Sequence, residues 1–441
     1  MTETVTTKYL IEILEDTHSR TLELLEGLDH QQLMGPKLPT VNPLLWEIGH
    51  VAWFAEQFVL RKLHKLEPSI PELDAVYDSI SIEHSVRWDL PLLQLNQCLN
   101  YIDDIKTRLC SRLSSEKASE ADSFIYQFAV SHQDMHNEAY TYSRQTLGYK
   151  KPTFTTNETL VLSKNDFGPH PGDVKVPGGV FSLGAARDAP FLFDNEKWSH
   201  DVKTYPFVIS KAPVTNKEFS EFVNDGGYVR RDLWPDVGWD WLQRLQIKTP
   251  AYWIQDGPRK WLIKFFDTII DLPPYQPVIH VNWYEANAYC AWANRRLPTE
   301  IEWEIAASAE PDPTQNKLSN RKRPYPWGAE KDTLLRANLD GRRLGCVDVA
   351  AFAAGDSAFG CRQMLGNIWE WTNSTFGPYP GFTADSYREY SEPVFYTRKV
   401  LKGGAWASRS RMINNTHRNF FTHDRRDIFA GFRTCAPYDW N

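Results

Sequence analysis

The stretch YQFAVSHQDMHNEAYTYSR, Tyr126 to Arg144, decides how the first third of the chain is read. It scans as one buried helical stripe: Ile125, Phe128, His132, His136 and Ala139 recur at the spacing of a 3.6-residue period. Two core positions are thus occupied by histidine. Residues four apart on a helix have Cβ atoms roughly 5–6 Å from each other, so both imidazoles can converge on one ion. The plainer alternative, histidines bonded to nearby carbonyls, is disfavoured by the apolar flanks. Burying two unpartnered imidazoles would cost on the order of 1–3 kcal/mol each, and a metal supplies the missing partner.

Working outward, this segment becomes the last of four amphipathic helices, running from about 119 to 148. YLIEILEDTHSRTLELLEGL carries Leu10, Leu14, Leu24, Leu25 and Leu28 on one face. NPLLWEIGHVAWFAEQFVL opens with Asn42 as N-cap and Pro43 at the first helical position, where its missing N–H costs nothing. DLPLLQLNQCLNYIDDIKTRL repeats that opening with Asp89 and Pro91, and its stripe is Leu92, Leu95, Leu99, Ile102 and Ile105. An antiparallel four-helix bundle over residues 1–150 is expected. Pro/Gly/Thr-rich residues 151–172 read as a linker. Residues 173–437 mix short strand-like runs (FVISKAP, YWIQDG, RKVLKGGAW), two helices (NKEFSEFVNDGG after Thr215, and NWYEANAYCAWANRR) and long aromatic loops. There is no βαβ rhythm, so the second domain is α+β.

A metal site inside a bundle draws ligands from more than one helix, and His50 is the only histidine of the second helix, on the face of Trp46, Trp53 and Gln57. Glu138 lies two residues from His136, about 200° around the helix, and points away. Glu47 and Glu56 remain possible, each on a different face from His50. The set chosen is His50, His132 and His136, which leaves coordination positions open, as catalytic sites do. Imidazole suits Zn, Fe, Ni and Cu alike, so the donors do not name the metal.

Composition narrows the partners. The 441 residues carry a net charge of −7, with no basic run to footprint nucleic acid or an anionic membrane. No apolar stretch approaches the roughly 18 residues of a membrane span, and MTETVTTKYL has no signal-peptide character. A cytoplasmic protein acting on small molecules is expected. Six cysteines without C-x-x-C spacing argue against a disulfide framework and a thiolate zinc site. Aromatic content is high, with 17 Trp, 19 Tyr and 23 Phe, the Trp concentrated after residue 230.

GHVAWF followed by HQDMHNEA resembles the metal-binding signature of the DinB-like bundle. VPGGVFSLG, PVTNKEF, RRLPTEIEWE, YPWG, MLGNIWEWT, LKGGAWAS and AGFRTCAP resemble the formylglycine-generating-enzyme domain, a C-type-lectin-like α+β fold. The two in this order resemble the sulfoxide synthases of ergothioneine and ovothiol biosynthesis. That resemblance implies a non-haem Fe(II) enzyme using O₂ to join a thiol sulfur to the imidazole C2 of a histidine derivative. Three imidazoles on a six-coordinate ion leave room for thiolate, substrate imidazole and O₂ together, an arrangement worth up to roughly 7–11 kcal/mol per well-oriented pair. Ovothiol synthases usually carry a methyltransferase domain, and this chain stops at Asn441, which favours hercynine (Nα-trimethylhistidine) as substrate. SRMINNTHRNFF contains no cysteine, whereas formylglycine generators place a reactive pair there.

The resemblance also implies site residues. Asn419, with Arg418 beside it, faces the substrate imidazole; Trp46, Phe420 and Phe421 are candidate walls for the trimethylammonium group, which aromatic faces hold by cation–π attraction. Family members that take γ-glutamylcysteine read Trp-Asp where this chain has Phe420 and Phe421. Losing that carboxylate removes a charge-assisted contact, which favours free cysteine as sulfur donor. Arg87 is the candidate for a substrate carboxylate. The proton- or electron-donating tyrosine falls in FGPYPGF as Tyr379, or the position is taken by Phe382 and the donor is Tyr140 or Tyr142. Asn338, Asp340 and Asn367 are candidates for a structural Ca²⁺. Three rivals stay open: a selenoneine- or ovothiol-type synthase on the same scaffold, a DinB-type zinc thiol S-transferase, and a binding module with vestigial histidines.

Overall fold

The structure is a computed structural model and describes residues 5–155, 162–187, 189 and 191–438. Part of the predicted linker, 156–161, lies outside the described residues. The chain divides into two compact units, Met1–Thr155 with Asp188–Phe191, and Thr156–Arg187 with Leu192–Asn441. Among the described residues no helix is long and apolar enough to cross a membrane.

The first unit is helical. It comprises α1 (Thr7–Leu25), α2 (His30–Met34), α3 (Leu44–Ala55), α4 (Asp74–Tyr77), α5 (Leu95–Ser115) and α6 (Glu120–Leu147). The four long helices pack in the cyclic order α1, α5, α3, α6. α6 starts where Ser119 and Asp122 form a capping box and ends at Gly148, whose φ of 68° is a left-handed stop. Two starts differ from expectation. Pro43 itself takes the N-cap position of α3, while Asn42 donates to Glu47 instead of capping. α5 begins at Leu95 under a Gln94–Gln97 capping box, not at Asp89, because the Leu93 amide is drawn to the Tyr77 hydroxyl. Beyond Ala55, α3 continues as a wider π-type helix, Glu56–Leu63, an irregularity frequent near functional sites.

The angular setting of α6 is fixed by a buried polar ladder to α1. Thr17 donates to Asp134 at 2.8 Å, Thr21 to Asn137 at 2.8 Å, and Gln133 to Thr21 at 2.9 Å. At about 100° per residue, Asp134 and Asn137 lie on the side of α6 roughly opposite His132 and His136. Satisfying the ladder therefore turns both histidines toward α3.

The second unit is the expected mixture. Its strands are β1 (Asp173–Val176), β2 (Gly179–Leu183), β3 (His200–Thr204), β4 (Phe207–Ser210), β5 (Trp253–Gln255), β6 (Trp261–Phe265), β7 (Thr268–Asp271), β8 (Ala309–Pro311), β9 (Leu318–Lys322), β10 (Trp369–Thr375), β11 (Lys399–Lys402), β12 (Asn419–Phe421) and β13 (Ala430–Gly431). The largest sheet runs β12-β11-β10-β13, antiparallel except for β10 with β13. Helices α7 (Asn216–Asn224), α9 (Trp283–Trp292) and α10 (Glu300–Ser308) each open on a capping box, Thr215/Glu218, Asn282/Glu285 and Thr299/Glu302; α8 spans Asp236–Leu245. Such small sheets leave much loop to cover, and indoles cover it while bonding it: Trp371 donates to the Val281 carbonyl at 2.9 Å and Trp283 to that of Thr372 at 3.0 Å. Buried ion pairs Arg433–Glu370 and Arg418–Glu300, each closing to 2.6 Å, sit in the same core.

Burial holds two histidines of this unit, His280 and His417, down at about 3. The unfolded chain takes up their protons below about 6.5 and the folded one does not, so stability is retained above that pH and falls as pH drops toward 3. Each contributes a slope of about 1.4 kcal/mol per pH unit. The urea midpoint of the C-terminal unit, followed by tryptophan fluorescence, is expected to be lower at pH 5 than at pH 7.5; equal midpoints would contradict the neutral, buried assignment.

Candidate metal centre

His50 projects from α3, and His132 and His136 project one turn apart from α6. Among the described residues they form a group whose ligating atoms all lie within 4.8 Å of one another. Ring centroids are 5.1 Å apart for His50–His132, 4.9 Å for His50–His136 and 4.6 Å for His132–His136. His50 is 2% and His132 6% exposed. Burial, then the His136 imidazole beside them, holds both well below the usual histidine range. Both are therefore neutral, with a lone pair to give.

Each ring is braced differently. His50 Nδ1 lies 2.8 Å from the Tyr77 carbonyl, which can only accept, so Nδ1 carries the proton and Nε2 is free to ligate. Gly49 makes this possible: any Cβ there would fall inside the Tyr77 ring. His132 stacks on Phe54, centroids 3.5 Å apart, and its Nδ1 has no hydrogen-bond partner among the described residues. His136 Nδ1 lies 3.3 Å from Glu47 Oε2. Three imidazole nitrogen donors converging in one place fit Fe(II), as they fit Zn(II). Glu56, the other buried carboxylate on this stretch, accepts from Tyr101 at 2.6 Å and from the Ser69 amide at 2.7 Å, and takes no part in the group.

The remaining sequence candidates are distributed over both units. Trp46 is 1% exposed; it donates to the Val76 carbonyl, stacks on His50 at 4.8 Å and lies under the Arg87 guanidinium at 3.9 Å. The cation over this indole is thus Arg87. Arg87 in turn donates to Asn42 at 2.9 Å and to the Ile82 carbonyl at 3.2 Å. Tyr140, one turn beyond His136, is fully buried, and its hydroxyl has no hydrogen-bond partner among the described residues. In the second unit, Tyr379 donates to Glu300 Oε1 at 3.1 Å, and Arg418 pairs with the same Glu300 while lying 4.1 Å over the Tyr379 ring. Asn419 begins β12, its Oδ1 accepting from the Phe420 amide. Phe420 stacks on Phe376 at 4.2 Å, and Phe421 has the Arg425 guanidinium 5.0 Å away. Asn338 donates to Asn367 at 3.0 Å, and Asp340 accepts from the Ser410 amide and pairs with Arg342. Asn338, Asp340 and Asn367 thus make these bonds within the protein.

Sequence reasoning missed Tyr77, Gly49, Phe54 and Asn42, and it weighed Glu47 only as a ligand. The W-E-x-G-H run does signal a glycine forced beside the histidine by close packing; nothing local signals Asn42.

Residues 13–138 match the DinB superfamily, and residues 158–437 match the sulfatase-modifying factor enzyme 1-like domain. A helical DinB unit with a histidine triad, joined to an FGE-like mixed domain, defines the class. The chain is 36% identical over 434 residues to the hercynine oxygenase of Mycolicibacterium thermoresistibile, covering 97% of this chain and 94% of that one. It is 35% identical over 424 residues to the hercynine oxygenase of Mycobacterium tuberculosis, covering 95% and 96%. Its C-terminal part is 30% identical over 304 residues to the formylglycine-generating enzyme of Thermomonospora curvata, covering 60% of this chain and 93% of that protein. The chain belongs to the hercynine oxygenase family and is an oxidoreductase.

Proposed function

We propose that this enzyme binds Fe(II) through His50, His132 and His136 and uses O₂ to join the sulfur of a thiol to the imidazole C2 of hercynine, leaving a sulfoxide. The observation that carries the reading is the triad itself: three imidazoles within 4.8 Å, in a chain alignable with a hercynine oxygenase over 97% of its length. A ferrous ion supplies the open coordination positions and the one-electron chemistry with O₂ that the residues alone lack. The protein holds the donors still: the Tyr77 carbonyl fixes the His50 ring, Phe54 packs flat on His132, and Glu47 faces His136. Asn419, Phe420 and Phe421 are proposed as substrate contacts and Tyr379 as the proton donor, on the family resemblance of their loops. Trp46, Arg87 and Arg418 are given supporting places, since their polar groups already have protein partners.

Protein loaded with Fe(II) under nitrogen, then mixed with hercynine and a thiol in air, is expected to yield a product heavier than hercynine by the thiol plus one oxygen less two hydrogens, read by mass, the second oxygen of O₂ leaving as water with the C2 and thiol hydrogens. Cysteine is proposed as the preferred donor over γ-glutamylcysteine, because Phe420 and Phe421 offer no carboxylate to the donor's ammonium group. At about 1.5–3 kcal/mol for a charged hydrogen bond, the kcat/KM ratio should favour cysteine by roughly tenfold or more. A ratio favouring γ-glutamylcysteine would reverse the donor assignment. Zinc content with full turnover under nitrogen would instead identify a thiol S-transferase.

A further inference from the structure

Arg87, Asn42, Glu47 and His136 form a chain of hydrogen bonds in which each link dictates the next. Arg87 Nη1 lies 2.9 Å from Asn42 Oδ1, Asn42 Nδ2 lies 2.7 Å from Glu47 Oε1, and Glu47 Oε2 lies 3.3 Å from His136 Nδ1. A guanidinium can only donate, so Asn42 must present its oxygen to Arg87 and its NH₂ to Glu47. A carboxylate can only accept, so the proton shared with the imidazole belongs to Nδ1. The His136 lone pair is thereby placed on Nε2, the same tautomer that the Tyr77 carbonyl enforces on His50.

We propose that Glu47 is a positioning residue of the metal centre, its carboxylate fixing His136 as the Nδ1–H tautomer, and that Arg87 sets this arrangement through the orientation of Asn42. The inference rests on the three-histidine reading above. Glu47 is only 3% exposed, and among the described residues its close ion-pair partner is His136, with Arg87 reaching it through Asn42. Keeping a carboxylate there is expensive unless both oxygens are engaged. Glu56, equally buried nine residues on, spends its oxygens on Tyr101 and Ser69; Glu47 spends one of its own on a ring of the triad. Arg87 also lies over Trp46, which stacks on His50, so one guanidinium braces rings on both α3 and α6.

The polarity of the chain supplies its own test. Glu47→Gln leaves one acceptor for two donors, Asn42 Nδ2 and His136 Nδ1–H. Asn42→Asp sets two carboxylates against each other. Combining the two restores every link: the new carboxylate accepts from Arg87 and from the new amide, whose oxygen is left for His136. Dissociation constants for Fe(II) and Co(II), measured anaerobically on the full chain, and the visible Co(II) spectrum are the readouts. Each single variant is expected to bind about 10–100-fold more weakly with an altered Co(II) spectrum, as changes next to metal-bound histidines do. The double variant should return to within about threefold of wild type. A purely structural role would lower the melting temperature of the metal-free protein and leave the Co(II) spectrum unmoved. Wild-type affinity in the singles, or a double variant no better than their sum, overturns the proposal. Failure of the unsubstituted protein to bind either ion overturns the three-histidine reading, and this inference with it. Should Asn42→Asp not fold, Glu47→Gln against the double variant makes the same comparison.

Discussion

His132→Ala protein is expected to bind Fe(II) more than about 100-fold more weakly than wild type, beyond what changes around a ligand usually reach, and to give no sulfoxide product. The substitution removes one of the three nitrogen donors that make up the group among the described residues. It also strips a ring from the face of Phe54, whose centroid lies 3.5 Å from that of His132. Packing loss alone would cost about 1–3 kcal/mol of stability without touching affinity. Phe54→Leu separates the two effects, since it disturbs the same stack and keeps all three donors. The expected pattern is a loss of metal and product in the first variant and a lower melting temperature with retained metal in the second. Stoichiometric iron and product in His132→Ala would remove this residue from the centre.

Gly49→Ala is expected to damage fold and site together. A Cβ at this position would overlap the Tyr77 ring, and that ring has little freedom to retreat. Its hydroxyl accepts from the Leu93 amide at 3.1 Å and meets Cys98 Sγ at 3.7 Å, and the ring is fully buried. Overpacking of this kind typically costs 1–3 kcal/mol or more. Moving Tyr77 also withdraws the carbonyl that bonds His50 Nδ1 at 2.8 Å, so metal affinity should fall along with the melting temperature. Adding Tyr77→Leu relieves the overlap and should recover part of both. An unchanged melting temperature and Fe(II) affinity in Gly49→Ala would show that Tyr77 can yield without consequence.

Periodicity and local chemistry reveal a good part of this molecule and miss a definable remainder. His132 and His136 stand out because polar residues at a helical spacing interrupt an apolar stripe, and both ends of α6 are written locally in Ser119, Asp122 and Gly148. The two helices noticed in the second unit, after Thr215 and Asn282, begin on Thr-x-x-Glu and Asn-x-x-Glu boxes. The same signature at Thr299/Glu302 opens α10, a helix not among the two expected. The displaced starts of α3 and α5 have a common cause. Asn42 and Leu93 are claimed by partners distant in sequence, Arg87 and Tyr77, and tertiary bonds outrank the local capping pattern. Glu47 shows the limit most clearly. Its helix face differs from that of His50, and that face brings it against His136 from α6, 89 residues on. No single-helix argument contains that contact.

The ladder of Thr17, Thr21, Gln133, Asp134 and Asn137 has a consequence for anyone transplanting this centre into a designed bundle. Copying the three histidines alone would leave the donor-bearing rod with less resistance to rolling about its long axis, since the ladder on its far side would be missing. α1 supplies no member of the triad, yet it works as the keyway that stops this roll. A graft should therefore carry its two threonines across, even though neither belongs to the histidine group.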